Sequence, residues 1–188
     1  MTFSVLARKI LSLIFSDKAA YVMMEEIAHK RSRHQKRLFK SCGNDFHLAA
    51  SVVIHSPSTV TFGNNCAVNE FVHILGAGGV WVGNGVWISN HTSIISETHP
   101  SDVEYIGDYT AILLSVKIED NVWIGSHATI MPGIVLGRSC IVGAGSVVTK
   151  DVPPYAIVTG IPAKILRYKS IPHSDKDREY VTVDTTHA

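Results

Sequence analysis

Aliphatic residues recur at every sixth position along three stretches of this 188-residue chain. Six residues is not a helical period, but it is divisible by two, so these residues can all face one side of short strands. The sequence therefore predicts an all-β solenoid whose stacked coils share a continuous aliphatic interior. The three stretches are Ile54, Val60, Cys66 and Val72; Val82, Ile88 and Ile94; and Ile118, Ile124, Ile130, Leu136, Val142 and Val148.

Polar and small residues stand where the coils of such a solenoid would turn. Asn, Asp and Gly tolerate left-handed backbone angles, so they suit tight corners. The rhythm breaks briefly at residues 76–79 and for longer from about residue 97 to 116. The longer break is a polar excursion, and a rigid scaffold makes such a loop the expected place for function. The predicted corner pairs are Asn64-Asn65, Asn84-Gly85 and Asp120-Asn121.

Three segments are expected along the chain. Residues 1–47 form a helical, basic segment, residues 48–168 form the solenoid, and residues 169–188 form a polar tail. Residues 3 to about 40 have apolar residues at helical spacing and contain no Pro or Gly. The basic run at residues 29–40 could contact anionic lipid or an acidic polymer, although a solvated helix face is the simpler interpretation.

Composition excludes several classes of protein. Hydrophobic residues make up 46% of the chain and charged residues 18%, which is too apolar for a disordered protein. The net charge of +1 argues against a basic nucleic-acid binder. Three cysteines without a CxxC pair argue against a disulfide framework and favour a reducing cytosol. No apolar run reaches the roughly 18 residues of a membrane span, so we expect a cytoplasmic protein, with any membrane contact peripheral and at the inner face.

Three motifs late in the chain carry a family resemblance. They are similar to the hexapeptide-repeat acetyltransferases, above all to the sugar O-acetyltransferases of the galactoside and maltose group and to enzymes that acetylate bacterial surface polysaccharides. The match covers roughly residues 54–168. The motifs are Asn121-Val-Trp-Ile-Gly-Ser-His-Ala-Thr-Ile-Met-Pro-Gly-Ile-Val-Leu-Gly137, Ile141-Val-Gly-Ala-Gly-Ser-Val-Val-Thr-Lys-Asp-Val-Pro-Pro154 and Gly160-Ile-Pro-Ala-Lys-Ile-Leu-Arg167.

The resemblance implies a fold, an assembly and a reaction. The implied fold is a left-handed parallel β-helix of triangular section, which would assemble as a homotrimer with active sites between neighbouring subunits. Acetyl-CoA is the implied donor, a sugar hydroxyl the implied acceptor, and no metal is required. Surface polysaccharide or lipopolysaccharide biosynthesis is the expected setting.

The resemblance also assigns roles to individual residues. His99 matches the general base, because Thr98-His99-Pro100 reproduces the family motif, and an imidazole pKa near 6.5 suits proton removal at neutral pH. Glu97 and Asp102 are the carboxylates near enough in sequence to orient it. Asn69 falls where galactoside acetyltransferases hold the acceptor. The positions implied for CoA are Ser126 beside the thioester, Ala144, Thr149, Lys150, Lys164 and Arg167.

Two positions depart from the galactoside group. Ala77 replaces an acidic acceptor-binding residue, and His55 replaces a small polar one. Both departures favour a glycan or a lipid-linked sugar over a free disaccharide. An amine acceptor, as in sugar N-acetyltransferases, stays open because the same base could serve both nucleophiles.

Three alternatives to acetyl transfer by a general base can be compared with the sequence. A γ-type carbonic anhydrase would bind zinc through three histidines, but the spacing of the histidines between residues 73 and 127 does not match that pattern. A non-catalytic scaffold remains conceivable because a fold does not determine a function. Acyl-cysteine chemistry needs an exposed thiolate, whereas Cys66 and Cys140 fall at positions expected to point inward. Direct transfer is therefore expected.

Overall fold

The computed structural model describes residue 5 and residues 17–102 and 110–170. Most of the predicted helical stretch before residue 17, the middle of the excursion and the tail after residue 170 lie outside these residues. Within the described part, helix α1 (Asp17–Lys36) precedes nineteen short strands. The strands are β1 (Ser41–Cys42), β2 (His47–Leu48), β3 (Val53–His55), β4 (Val60–Phe62), β5 (Ala67–Val68), β6 (His73–Leu75), β7 (Val80–Val82), β8 (Trp87–Ile88), β9 (Ser93–Ile95), β10 (Glu97–Thr98), β11 (Ile112–Leu113), β12 (Val116–Ile118), β13 (Trp123–Ile124), β14 (Thr129–Ile130), β15 (Val135–Leu136), β16 (Ile141–Val142), β17 (Val147–Val148), β18 (Ala156–Gly160) and β19 (Ala163–Tyr168).

Seventeen of the strands build three sheets that wind together as one solenoid, while β10 and β11 form a separate antiparallel pair. Sheet A has the order β1-β4-β7-β12-β15, sheet B β2-β5-β8-β13-β16-β18-β19, and sheet C β3-β6-β9-β14-β17. Each full coil adds one strand to each sheet, and each strand pairs in parallel with the equivalent strand of the next coil. The predicted all-β solenoid, a left-handed parallel β-helix with an N-terminal helix, is confirmed.

The interior is a column of aliphatic side chains that repeats with the coils. Ten of the sixth-position residues are at most 1% exposed: Val60, Val72, Ile88, Ile94, Ile118, Ile124, Ile130, Leu136, Val142 and Val148. Burying one such side chain contributes about 1.5–3 kcal/mol relative to leaving it in water. A second inward residue lies two positions earlier, such as Val122 before Ile124. The residues of the predicted six-residue repeat therefore form the core of the molecule.

The first stretch of the predicted rhythm is out of register. Strand pairing aligns Ile54 with Ile74, and it aligns Phe62, not Val60, with Val82. The equivalent residues of the first three coils are 20 apart, because two extra residues occupy the corner after β3 and after β6. A count of six from Ile54 crosses this longer corner, so the residues counted after it occupy the second inward-facing position, two residues earlier, instead of the first. The shift is even, so the counted residues Val60, Cys66 and Val72 are still buried.

Side chains at the predicted corners continue the hydrogen-bond ladder where the backbone turns. The side-chain Oδ1 of Asn64 accepts from the N–H of Asn44 at 2.8 Å, and that of Asn84 accepts from the N–H of Asn64 at 2.9 Å. Asp120 Oδ1 accepts from the N–H of Asn84 at 2.8 Å. The next residue of each coil has a positive φ: 55° at Asn65, 65° at Gly85 and 58° at Asn121.

Helix α1 covers the open edge of the first coil. The carbonyls at the end of a parallel stack have no further strand to pair with, and unpaired backbone groups at a sheet edge are costly when buried. At the other end β19 pairs antiparallel with β18 and covers sheet B. Three side chains of α1 donate to carbonyls of the first coil: Ser32 Oγ to Leu48 at 2.7 Å, Gln35 Nε2 to Val52 at 3.1 Å, and Lys36 Nζ to Phe46.

The basic run at residues 29–40 is thus partly structural. Lys36 lies 5.1 Å from the centroid of the Phe46 ring, and Lys40 lies 4.5 Å from that of Trp81. The first coil begins with β1 at Ser41, ahead of residue 48, where the predicted solenoid begins. No helix among the described residues has the length and apolar character needed to cross a membrane.

Gly78 lies where two coils approach each other most closely, at the root of the excursion. A Cβ at Gly78 would lie 2.0 Å from the backbone oxygen of Ser96, whereas one at Gly145 would meet nothing within 4 Å. We expect Gly78→Ala to lower the free energy of unfolding by about 3 kcal/mol or more, because the backbone of the neighbouring coil must move. Gly145→Ala should cost only about 1–2 kcal/mol for its left-handed φ. Urea denaturation of both variants measures the difference, and equal losses would contradict this view of the corner.

Candidate active site

The excursion that carries His99 is rooted in a buried hydrogen-bond network. Ser96 is fully buried, and its Oγ donates to the carbonyl of Leu75 at 2.7 Å and accepts from the N–H of Gly78 at 2.9 Å. Beyond Ser96, β10 and β11 pair antiparallel and close the base of the excursion. His99 follows β10 and is exposed. The candidate base therefore stands on a polar loop with a fixed root.

The two candidate orienting carboxylates differ in their surroundings. Glu97 is half-buried within β10, where it pairs with Leu113 of β11. Asp102 is exposed, just before the undescribed residues of the excursion. The assignment of either one to His99 stays a prediction.

Three of the predicted positions share one corner of the solenoid. We name corner BC the turn between sheets B and C, which comprises residues 69–71, 89–91, 125–127 and 143–145. Pairing of β5 with β8, β8 with β13 and β13 with β16 places the equivalent residues of these turns in line. Asn69 is half-buried there in the second coil, Ser126 is half-buried in the fourth, and Ala144 is exposed in the fifth.

The other predicted positions lie elsewhere. Thr149 and Lys150 are exposed in corner CA, the turn between sheets C and A, which is also the corner from which the excursion with His99 departs. Lys164 and Arg167 are exposed on β19, at the edge of sheet B.

One chain does not bring all these positions together. Corner BC and corner CA are the opposite edges of sheet C, and one side of a coil holds about six residues, or roughly 20 Å at 3.3 Å per residue. The candidate base is thus on one edge of sheet C, while Asn69 and Ser126 are on the other.

The two departures from the galactoside pattern lie near the edge that carries His99. Ala77 is half-buried in the corner CA turn of the second coil. His55 is exposed at the end of β3, in register with Leu75, and its ring meets that of His73 edge-on at 5.2 Å. Both changes therefore alter the surface on the corner CA side of sheet C.

Two of the three cysteines, Cys66 and Cys140, do not offer a nucleophile. Cys66 and Cys140 point into the core, as predicted, with 2% and 0% of their surface exposed. Burial raises the pKa of the Cys140 thiol to about 12 and also raises the pKa of Cys66. Because the thiolate is the reactive form, neither side chain can attack a thioester at neutral pH.

In the described part of the chain, no group of three or more His, Cys, Asp or Glu is placed to hold a metal ion.

Two histidines of the solenoid belong to a stack of rings that was not predicted from the sequence. At corner BC the Phe71 ring stacks on His91 at 4.9 Å, and His91 stacks on His127 at 4.7 Å. Phe71, His91 and His127 are 20 and 36 residues apart, which equals the coil lengths at those points. These spacings are the sequence signal from which the stack could have been predicted.

Comparisons with known proteins identify the family. The family described as bacterial transferase hexapeptide (six repeats) matches residues 115–150. Galactoside O-acetyltransferase of Escherichia coli (strain K12) is 30% identical over 155 residues, which cover 82% of this chain and 74% of that protein.

Solved structures agree with this similarity. A hexapeptide-repeat acetyltransferase of Vibrio cholerae O1 biovar eltor, in complex with acetyl-CoA, has a TM-score of 0.73 and 30% identity over 76% of this chain and 78% of its own. A galactoside acetyltransferase in complex with coenzyme A has a TM-score of 0.72 and 29% identity over 83% of this chain and 76% of its own. With the repeat, the fold and the extent of the identity in agreement, the chain belongs to the hexapeptide-repeat acetyltransferase family.

Proposed function

We propose that this protein transfers acetyl from acetyl-CoA to a hydroxyl group of a sugar, with His99 as the general base. The observation that carries the proposal is the position of His99, exposed on an excursion with a buried root, at an edge of sheet C. The relatives described above, a galactoside O-acetyltransferase and structures with acetyl-CoA or CoA bound, support the donor and the acceptor class.

The reaction is direct transfer within a ternary complex. His99 takes the proton of the acceptor hydroxyl while the oxygen attacks the thioester carbon, which produces a tetrahedral intermediate with a negative oxygen. The backbone N–H of Ser126 is suited to stabilise that oxygen from corner BC. When the intermediate collapses, the C–S bond breaks, the acetyl ester remains on the sugar, and the proton on His99 passes to the CoA sulfur. Burial of Cys66 and Cys140 supports direct transfer over an acyl-enzyme at either cysteine.

The other predicted residues divide between acceptor and donor. Asn69 donates or accepts a hydrogen bond to the acceptor, while Ala144, Thr149 and Lys150 contact the pantetheine and adenine parts of CoA. Lys164 and Arg167 are exposed cations that suit the phosphates. A sugar amine in place of the hydroxyl is the second candidate, because the same base would serve it.

The split of the site between two edges of sheet C is the reason to propose a homotrimer. Corner BC of one subunit can face corner CA of the next, and a head-to-tail contact of this kind closes into a ring. Each ring of three then has three sites, and each site draws His99 from one subunit and Asn69 with Ser126 from its neighbour.

We place the enzyme in the cytoplasm, in surface polysaccharide or lipopolysaccharide biosynthesis, with α1 in peripheral contact with an anionic membrane. Met23 and Lys30 are exposed on the face of α1 opposite the side chains that cap the first coil, and the exposed Arg37 follows seven residues later, just past the end of α1. Exposed apolar and cationic groups together are what peripheral binding requires.

His99→Ala should lower acceptor-dependent release of CoA thiol by about 10²- to 10⁴-fold, the usual contribution of a general base. The assay uses acetyl-CoA with a panel of mono- and oligosaccharides. Affinity for CoA, measured by calorimetry, should stay within about twofold, because the base does not hold the donor. His34→Ala, at an exposed histidine of α1, is the matched control and should retain full activity. Equal activity of the His99→Ala and wild-type enzymes would remove His99 from the mechanism.

Co-sedimentation with vesicles tests the membrane contact. The wild type should bind vesicles rich in phosphatidylglycerol at low salt, and the double change Lys30→Glu and Arg37→Glu should abolish binding, because each cation near the surface contributes about 1 kcal/mol. Lys117→Glu makes the same kind of change on sheet A and should leave binding unaltered. Failure of the wild type to bind at low salt would exclude the contact.

A further inference from the structure

The ring stack at corner BC occupies backbone positions that are unusual for aromatic residues. Phe71, His91 and His127 each have a φ of 59°, in the left-handed region. The equivalent turn between sheets A and B fills that region with residues that tolerate it better: Asp45, Asn65, Gly85, Asn121 and Ser139. Aromatic side chains at strained positions on an exposed corner are a reason to look for a ligand.

One end of this stack is open toward the first coil. His91 covers one face of the Phe71 ring, and the residue of the first coil in register with Phe71 is Ser51, whose Oγ accepts from the N–H of Phe71 at 3.1 Å. No ring of the described residues covers the second face. Phe71 is 58% exposed, so a flat apolar surface points from the second coil toward α1.

A groove between α1 and the first coil lies beside this surface. Its volume is about 420 Å³, within the range of small-ligand sites. Its lining includes Ser51, which accepts from the N–H of Phe71, and Glu70, the neighbour of Phe71 in sequence. Helix α1 adds polar and charged side chains to the same groove: Glu25, His29, Ser32, Arg33 and Lys36. Hydroxyl, carboxylate and cationic groups are therefore available close to an exposed aromatic ring.

This combination fits a sugar ring. The C–H groups on one face of a pyranose are apolar and weakly positive, so they pack against the negative face of an aromatic ring, while the hydroxyls at its edge bond to carboxylates and hydroxyls.

Asn69 and Phe71 lie two positions apart in one turn of corner BC, so their Cα atoms are at most about 7 Å apart, which is on the scale of one sugar unit. We infer that the acceptor is an oligosaccharide chain, and that Phe71 stacks the sugar next to the one held by Asn69, with the chain continuing along the groove beside α1. The inference rests on the proposed function for the role of Asn69, and it narrows the substrate class from sugars to chains of at least two units.

The test is binding of glycans of increasing length. Methyl glycosides of glucose, galactose and N-acetylglucosamine and their linear oligomers of two to five units are titrated into the CoA-bound enzyme by saturation-transfer NMR. In at least one series, oligomers should bind at least about tenfold more tightly than the single unit, as expected for one added aromatic contact. Phe71→Asn should reduce this advantage to less than about twofold and leave binding of the single unit unchanged. Asn tolerates the left-handed φ, so this variant should fold.

Phe71→Tyr keeps the ring and should keep the length advantage. The inference is overturned if no series binds, if all lengths bind equally, if the advantage survives in Phe71→Asn, or if a nucleotide-linked sugar binds through Phe71 instead. Each of these results can be distinguished from a failure of the proposed function. Thiol release that depends on His99 but is equal for single units and chains would retain the function and remove the inference.

Discussion

Every strand of this solenoid depends on the coil beside it. Most strands are two or three residues long and have no partner within their own coil, so backbone pairing and burial both come from stacking equivalent residues of successive coils. Ile88, Ile124 and Val142 illustrate this, since each lies in register with the next and all are buried. The position of a side chain in its coil therefore decides whether it lies in the core, on a flat face or on a corner. Most of the candidate site residues lie on the corners and on the excursion, whereas Lys164 and Arg167 lie on β19 at the edge of sheet B.

A stack of this kind has two ends, and each is closed differently. At the start, side chains of α1 donate to carbonyls that no strand can reach, which uses part of the basic run for structure. At the other end, β19 turns back on β18 and pairs antiparallel. Covering these edges prevents pairing with other chains. It also places α1 beside the second coil's corner, so that capping the fold creates the groove next to Phe71.

The sequence alone was sufficient to predict the features that repeat in each coil. A six-residue period predicted the core, the corner residues Asn64 and Asn84, and the departure of the excursion near residue 97. Features that depend on pairing between coils were not accessible in this way. The extra two residues in the first corners hid the register, and strand β1 at the start of the first coil fell outside the predicted solenoid because Cys42 does not continue the aliphatic pattern. The division of the candidate site between two edges of sheet C also became visible only once strand pairing was known.

That division is the central claim: one subunit provides His99 and its neighbour provides Asn69. It is tested most directly by co-expressing His99→Ala and Asn69→Ala chains with different tags, purifying the mixed trimers, and measuring acceptor-dependent thiol release. Neither variant alone should be active. In a closed ring that contains both kinds of chain, one of the three interfaces joins an intact His99 to an intact Asn69, so the purified mixed trimers should recover about a third of wild-type activity. Mixed trimers as inactive as the separate variants would show that both residues act within one chain, and would contradict the account.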